Sequence, residues 1–337
     1  MDLIGLFFNT VYLTFLTVLC GFLVSPKGYV SKSILINFFL WLGVGHSILV
    51  LGALSLIRLN IPGKNIIYIF PILFFLFLIL KIFPVLNAKR LELSKDWLYM
   101  TRKQSLMSLS FIILFSIITF YLPFIVNFTS GFYAISGGDI SIYLRMAEFF
   151  AENGINADLP NREMMTPLMP NWNILTFIKS MQVNGSGVFS NSLTSVPYVS
   201  LSLNSIEEGY TISLFISLLC ILGGGGSLFG YLFNKGDIFI LISSLALGLS
   251  NLILWMAATH ATAAFFVLGI SFTFILLMIF GIETKRFSIF AISVVGSSML
   301  LCYLPYFIIG IGVPLGVYYL YKFFLVILND QLDLFSK

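Results

Sequence analysis

Nine long apolar runs, most of them separated by short polar breaks, dictate what this chain can become. Residues 3–24, 34–57, 66–86, 107–126, 211–233, 238–256, 261–282, 287–305 and 308–328 are each roughly as long as the 20 or so residues a helix needs to cross a bilayer. Backbone groups in hydrocarbon must satisfy one another, so helices are the form expected for all nine. Short breaks around Thr259-His260 and Tyr303-Leu-Pro-Tyr306 divide the later runs. Hydrophobic residues make up 59% of the chain and charged residues only 9%, far below the roughly 25% of a soluble domain. The expected class is therefore all-α: a polytopic helical membrane protein.

The basic residues orient the spans. Placing the breaks after spans one, three, five and seven on the cytoplasmic side puts thirteen there with the adjoining helix ends and tail: Lys27, Lys32, Lys81, Lys89, Arg90, Lys95, Arg102, Lys103, Lys235, Lys285, Arg286, Lys322 and Lys337. The other side receives five: Arg58, Lys64, Arg145, Arg162 and Lys179. This bias follows the positive-inside pattern. The net charge of +4 is accordingly read as topology, with no nucleic-acid partner. The first run lacks a basic leader and is long enough to stay in the membrane, so it reads as a span, with Met1 facing outward. Cys20, Cys220 and Cys302 all fall within spans and read as buried apolar thiols, without a disulfide framework or metal site.

Between the fourth and fifth runs the pattern breaks. Residues 127–210 are polar enough to form one large loop, which the charge bias places outside the cytoplasm. Three regions follow: a four-span bundle over 1–126, the loop over 127–210, and a second bundle of about five spans over 211–337. Within the loop, Ile140, Tyr143, Leu144, Ala147, Phe150 and Ala151 recur on one helical face, with Ser141, Arg145, Glu148 and Glu152 opposite. An amphipathic helix over 140–153 is expected to stop at Gly154, with Asp139 just before it as N-cap. Three prolines make 160–170 irregular, and a second short helix is expected after Trp172. The Ser-, Asn- and Gly-rich stretch 184–205 reads as a mobile segment able to close over a substrate.

The run Gly138-Asp139-Ile-Ser-Ile-Tyr143-Leu-Arg-Met-Ala147-Glu-Phe-Phe-Ala151-Glu-Asn-Gly154 resembles the start of the first external loop in GT-C glycosyltransferases. In that family an aspartate near the outer membrane face precedes a pattern like Tyr-x-x-x-Ala-x-x-x-x-x-x-Gly on an interfacial helix. The resemblance covers about twenty residues, beyond which the likeness is one of hydropathy. It implies an integral protein of a bacterial cytoplasmic membrane that transfers a sugar from a polyprenyl-phosphate donor to a lipid, glycan or protein acceptor. Membrane lipid and lipid-linked sugar would be its partners, and a divalent metal ion is left as an open requirement. By this analogy Asp139 is the base that takes the acceptor proton, and Arg145, Arg162, Lys179 and His260 are candidates to hold the lipid phosphate. The chain departs from the family in placing four spans ahead of the loop and no acidic neighbour beside Asp139.

Each of these residues also has a structural reading. Asp139 serves equally as a helix cap, and Arg145 can pair with Ser141 or Glu148 across a turn. Glu207 and Glu208 mark a membrane boundary, with contact to acceptor or metal as the functional alternative. His46, beside Gly43 and Gly45, is expected to be a neutral imidazole hydrogen-bonded to a neighbouring helix at a close crossing. Gly223–Gly226 lacks the Lys-Ser/Thr of a phosphate loop and reads as helix packing or a hinge. Competing functions are a lipid-linked glycan flippase or solute transporter, an O-antigen polymerase or ligase, and a non-catalytic subunit of a membrane complex. The central position of the loop and the absence of an inverted repeat favour the transferase.

Overall fold

A computed structural model describes residues 3–24, 33–82, 102–126, 137–154, 187–233, 235–250, 262–284 and 294–296. The described residues are helical, with no strand. We number the helices α1 (Leu3–Val24), α2 (Ile34–Arg58), α3 (Ile69–Ile82, preceded by a 3₁₀ turn over Gly63–Tyr68), α4 (Arg102–Val126), α5 (Gly137–Glu152), α6 (Gly187–Leu201), α7 (Ile206–Leu232), α8 (Asp237–Gly248) and α9 (Thr262–Thr284). The apolar runs expected at 3–24 and 34–57 agree with α1 and α2 almost to the residue. The run at 66–86 is divided between the 3₁₀ turn and α3. The runs at 287–305 and 308–328 lie outside the described residues, apart from 294–296.

Among the described residues, four helices are long and apolar enough to cross a membrane: α1, α2, α4 and α7. Their surroundings differ. In its most apolar stretch α7 is 94% buried, against 33% for α4, so α7 is the axis of the bundle and α4 its flank. On the flanks, Phe7, Phe8 and Phe15 of α1, Phe74 and Phe75 of α3, and Phe111 and Ile118 of α4 point outward. A continuous apolar exterior of this kind suits contact with lipid rather than water.

Small residues set the closest crossing. A Cβ on Gly21 would lie 1.8 Å from the carbonyl oxygen of Trp41, and one on Gly45 would lie 1.8 Å from that of Thr17. Thus α1 and α2 meet backbone to backbone, the mode open to helices that gain nothing from burying apolar surface away from lipid. Within α7, Cys220–Gly224 form a π turn, and the ring of Phe39 sits against Gly223 where a Cβ would fall 2.0 Å from it. The glycine run expected as packing or a hinge is therefore a packing notch inside the most buried helix.

Polar ties close the two ends of the bundle. At one end, buried Asp237 in the first turn of α8 accepts hydrogen bonds from Ser33 (3.0 Å), the N-cap of α2, and from Ser105 of α4. Helices α2, α4 and α8 therefore all start at this end. The opposite end, here the loop end, gathers the start of α1, the end of α2, helix α5 and the α6–α7 turn. Helices α1 and α7 thus run opposite to α2, α4 and α8.

Residues 187–201 overturn one expectation. The stretch 184–205 reads as a mobile cover, yet α6 is a helix packed against α2, α5, α7 and α9, with Leu193 to Val199 buried. Its small polar residues do not solvate a flexible segment; Thr194 and Ser195 are buried, and Ser195 bonds to Ser213 of α7 (3.0 Å). Pro197 lies inside the helix without ending it.

Candidate functional site

Helix α5 carries the motif, and its sequence fixes how it sits. Leu144, Ala147, Phe150 and Ala151 are buried, while Arg145 and Glu152 are exposed, as the amphipathic pattern expects. Met146 is also buried, so the covered face is broader than the pattern alone suggests. The buried face lies mainly on α6, with further contacts to the 3₁₀ turn and α7. Lys64 of the 3₁₀ turn reaches Glu152 at 2.5 Å across the surface. Beyond the helix end, Gly154 lies against Asn60, where a Cβ would come 2.4 Å from both the Asn60 backbone carbon and its Oδ1. Helix α5 is thus clamped to the loop end by its apolar face and by its terminal glycine.

The candidate residues separate accordingly. Asp139 stands third in α5, inside the first turn rather than at the N-cap, because the helix begins two residues earlier at Gly137. A first-turn aspartate is near the positive end of the helix dipole, as a cap would be. Its side chain lies outside the described atoms. Arg145 is exposed and pairs with Glu148 at 2.8 Å. Arg162, Lys179 and His260 lie outside the described residues. Glu207 and Glu208 occupy the first turn of α7, capped by Ser205, whose side chain accepts from the Glu208 backbone N–H. Glu207 is exposed and Glu208 half-buried.

Glu208 belongs to a network that sequence reasoning missed. Its Oε2 accepts from Asn9 of α1 (3.2 Å) and from Asn204 (2.9 Å). Asn9 also donates to Ser202 (2.8 Å) and accepts from the Leu203 backbone (3.3 Å). The next residue of α1, Thr10, bonds to Tyr121 of α4 (2.9 Å). The available signal was an asparagine in an otherwise apolar span, since a polar group at such a position must find a partner.

Deeper in the bundle, His46 joins α2, α6 and α7. Its Nδ1 meets the Tyr198 hydroxyl and its Nε2 meets Ser217 Oγ (2.9 Å), while the ring rests edge-on against Phe266. The Ser217 hydroxyl hydrogen is committed to the Ser213 carbonyl (2.9 Å). Ser217 therefore accepts from His46 Nε2–H, and in the neutral imidazole expected here Nδ1 accepts from Tyr198. Both ring nitrogens are thereby used in bonds to neighbouring helices. The structure gives His46 a joining role, with its ring closed off from solvent.

An apolar groove of about 440 Å³ opens along α1 and α4, floored by Phe215 and Leu219 of α7. Its wall on α1 runs from Leu6 to Val18 and includes Thr10, which bonds to Tyr121 of the facing wall. Among the described residues no cluster of histidine, cysteine, aspartate or glutamate is arranged to hold a metal ion.

No family model, curated protein or solved structure matches this chain.

Proposed function

We propose that the chain is a membrane glycosyltransferase of GT-C type, using a polyprenyl-phosphate-linked sugar at the loop end of the bundle. The observation that carries the reading is helix α5: the motif that resembles the family sits on an amphipathic helix clamped across one end of an apolar helical bundle. In this reading the bundle has nine spans, and the loop end lies outside the cytoplasm. Asp139 takes the proton from the acceptor hydroxyl as that oxygen attacks the anomeric carbon, and the lipid phosphate departs as the leaving group. Of the outward basic residues, Arg145, Arg162, Lys179 and His260 are assigned to the phosphate. Arg145 can serve only by exchanging its exposed pairing with Glu148, an inexpensive change for a surface pair.

The test is transfer itself. Purified protein in lipid vesicles is given a panel of polyprenyl-phosphate hexoses and pentoses carrying a labelled sugar, with membrane extract as acceptor. Consumption of one donor with release of polyprenyl phosphate supports the reading; failure to consume any of them refutes it.

A transport reading draws on the π turn in the central helix and on buried His46. It is separated by the same vesicles, because a transporter moves a lipid-linked sugar between leaflets and leaves the glycosidic bond intact.

A further inference from the structure

The outward face of α4 joins an apolar groove to a pair of cations. Leu106, Met107, Ser110, Phe111 and Leu114 are the described residues that line a groove of about 320 Å³ on this helix. Their spacing is that of one helix face, and it runs for about 12 Å at 1.5 Å per residue. Leu106, Met107, Phe111 and Leu114 are 51–55% exposed, so the groove opens away from the bundle.

The same face carries charge where the helix begins. Arg102 and Lys103 are the first two residues of α4, and they stand four positions before Leu106 and Met107. Residues four apart share a helix face, so the two cations head the stripe that the groove follows. That stripe, residues 102, 103, 106, 107, 110, 111 and 114, holds two positive charges and no negative one. Ser105 turns the other way: it is buried and donates to Asp237, whose second oxygen accepts from Ser33. The Asp237 carboxylate is therefore held inside the bundle by two hydroxyls. Lys235, two residues before it, is exposed and has no ion-pair partner among the described residues. Cations that flank a span meet the head-group region of any bilayer. What distinguishes this place is the groove directly along the helix from them, which sets one hydrocarbon chain in line with the charge.

We propose that this face of α4 is a binding site for an anionic phospholipid, of the phosphatidylglycerol kind, in the leaflet opposite the loop end. One acyl chain lies in the groove from Leu106 to Leu114, and the phosphate meets Arg102 and Lys103. An arginine suits that place because its guanidinium can bind two phosphate oxygens at once. A free phosphate leaves the groove unused, and a zwitterionic lipid brings a cation of its own to a cationic place. The inference goes beyond the transferase reading and does not depend on it, because it concerns lipid binding alone.

The test uses the full chain in nanodiscs of phosphatidylcholine. A trace of phosphatidylglycerol with a photoactivatable group in one acyl chain is crosslinked, and the labelled peptides are mapped. The expected label falls on α4 between Leu106 and Leu114. Unlabelled phosphatidylglycerol competes roughly tenfold better than added phosphatidylcholine with the same chains, since each basic residue near the surface favours an anionic lipid several-fold. Arg102→Gln with Lys103→Gln brings the two competitors close to parity. Ser110→Trp fills the groove and cuts the labelling, while Phe75→Trp, on the outward face of α3, leaves it unchanged. Equal competition by phosphatidylcholine in the unaltered protein overturns the proposal, as does label spread evenly over the outward faces of α1, α3 and α4. Displacement of the probe by millimolar inorganic phosphate also overturns it, by placing recognition in the anion alone. These three outcomes need no variant, so they decide the matter even where a substitution prevents folding.

Discussion

Gly154, the last residue of the motif, touches Asn60, which turns the chain out of α2 with a φ of 62°. A Cβ at position 154 would come 2.4 Å from Asn60, a separation that packed atoms do not tolerate. The two residues form a corner in which a left-handed asparagine and a glycine let a turn and a helix end meet. Gly154→Ala should destabilise the protein by roughly 1–3 kcal/mol, as overpacking generally does, and a thermal unfolding scan in detergent checks it. Asn60→Gly should be nearly neutral, whereas Asn60→Val should cost about as much as Gly154→Ala, because a branched residue resists positive φ. Equal stability for all three variants would remove the clamp on α5.

His46 and Tyr198 make a second pair whose worth can be measured. Tyr198→Phe leaves Nδ1 of His46 without its donor and should cost about 1 kcal/mol. His46→Leu removes the imidazole from both Tyr198 and Ser217 and should cost more, roughly 2–3 kcal/mol. The double variant should cost clearly less than the sum, since one bond would otherwise be counted twice. Strict additivity would mean that the two side chains do not interact.

Asp237 ties three helix starts through two serine hydroxyls. Asp237→Ala should lower stability by roughly 1–3 kcal/mol, and Ser33→Ala with Ser105→Ala should reproduce most of that loss. A loss with Asp237→Ala but none with the paired serine variants would show that the carboxylate is held by something else.

Sidedness follows from the two ends. Leu203 and Lys235 are both exposed, the first at the loop end and the second one short turn from Asp237 at the other. Cysteine at position 203 should react with an impermeant maleimide added outside intact cells, and cysteine at 235 only after the membrane is opened. Reaction of both from one face would break the alternation of helix directions.

Much of this arrangement is legible in the sequence because the membrane simplifies the physics. Apolar length alone locates α1 and α2, since no other arrangement hides their backbone from lipid. The amphipathic face of α5 is legible for the same reason at an interface. Helix α6 is not: its serines and single asparagine resemble a solvated segment until the partners Ser213 and His46 are in place across the bundle. The Asn9–Glu208 contact is equally hidden, because it joins residues 199 positions apart. Resemblance led to Asp139, Arg145, Arg162, Lys179 and His260, and Glu207 and Glu208 were marked by their place at a membrane boundary. Spacing could not add the amides and hydroxyls that surround Glu208.

The reaction assigned to helix α5 turns on one carboxylate. Asp139→Asn keeps most of a helix-start residue's hydrogen-bonding capacity and removes only the base. The decisive measurement is the rate of sugar transfer from polyprenyl phosphate by this variant and by the unaltered protein, with thermal stability recorded beside it. The expected result is unchanged stability with transfer lost or severely reduced. Full transfer by the asparagine variant would contradict a catalytic Asp139.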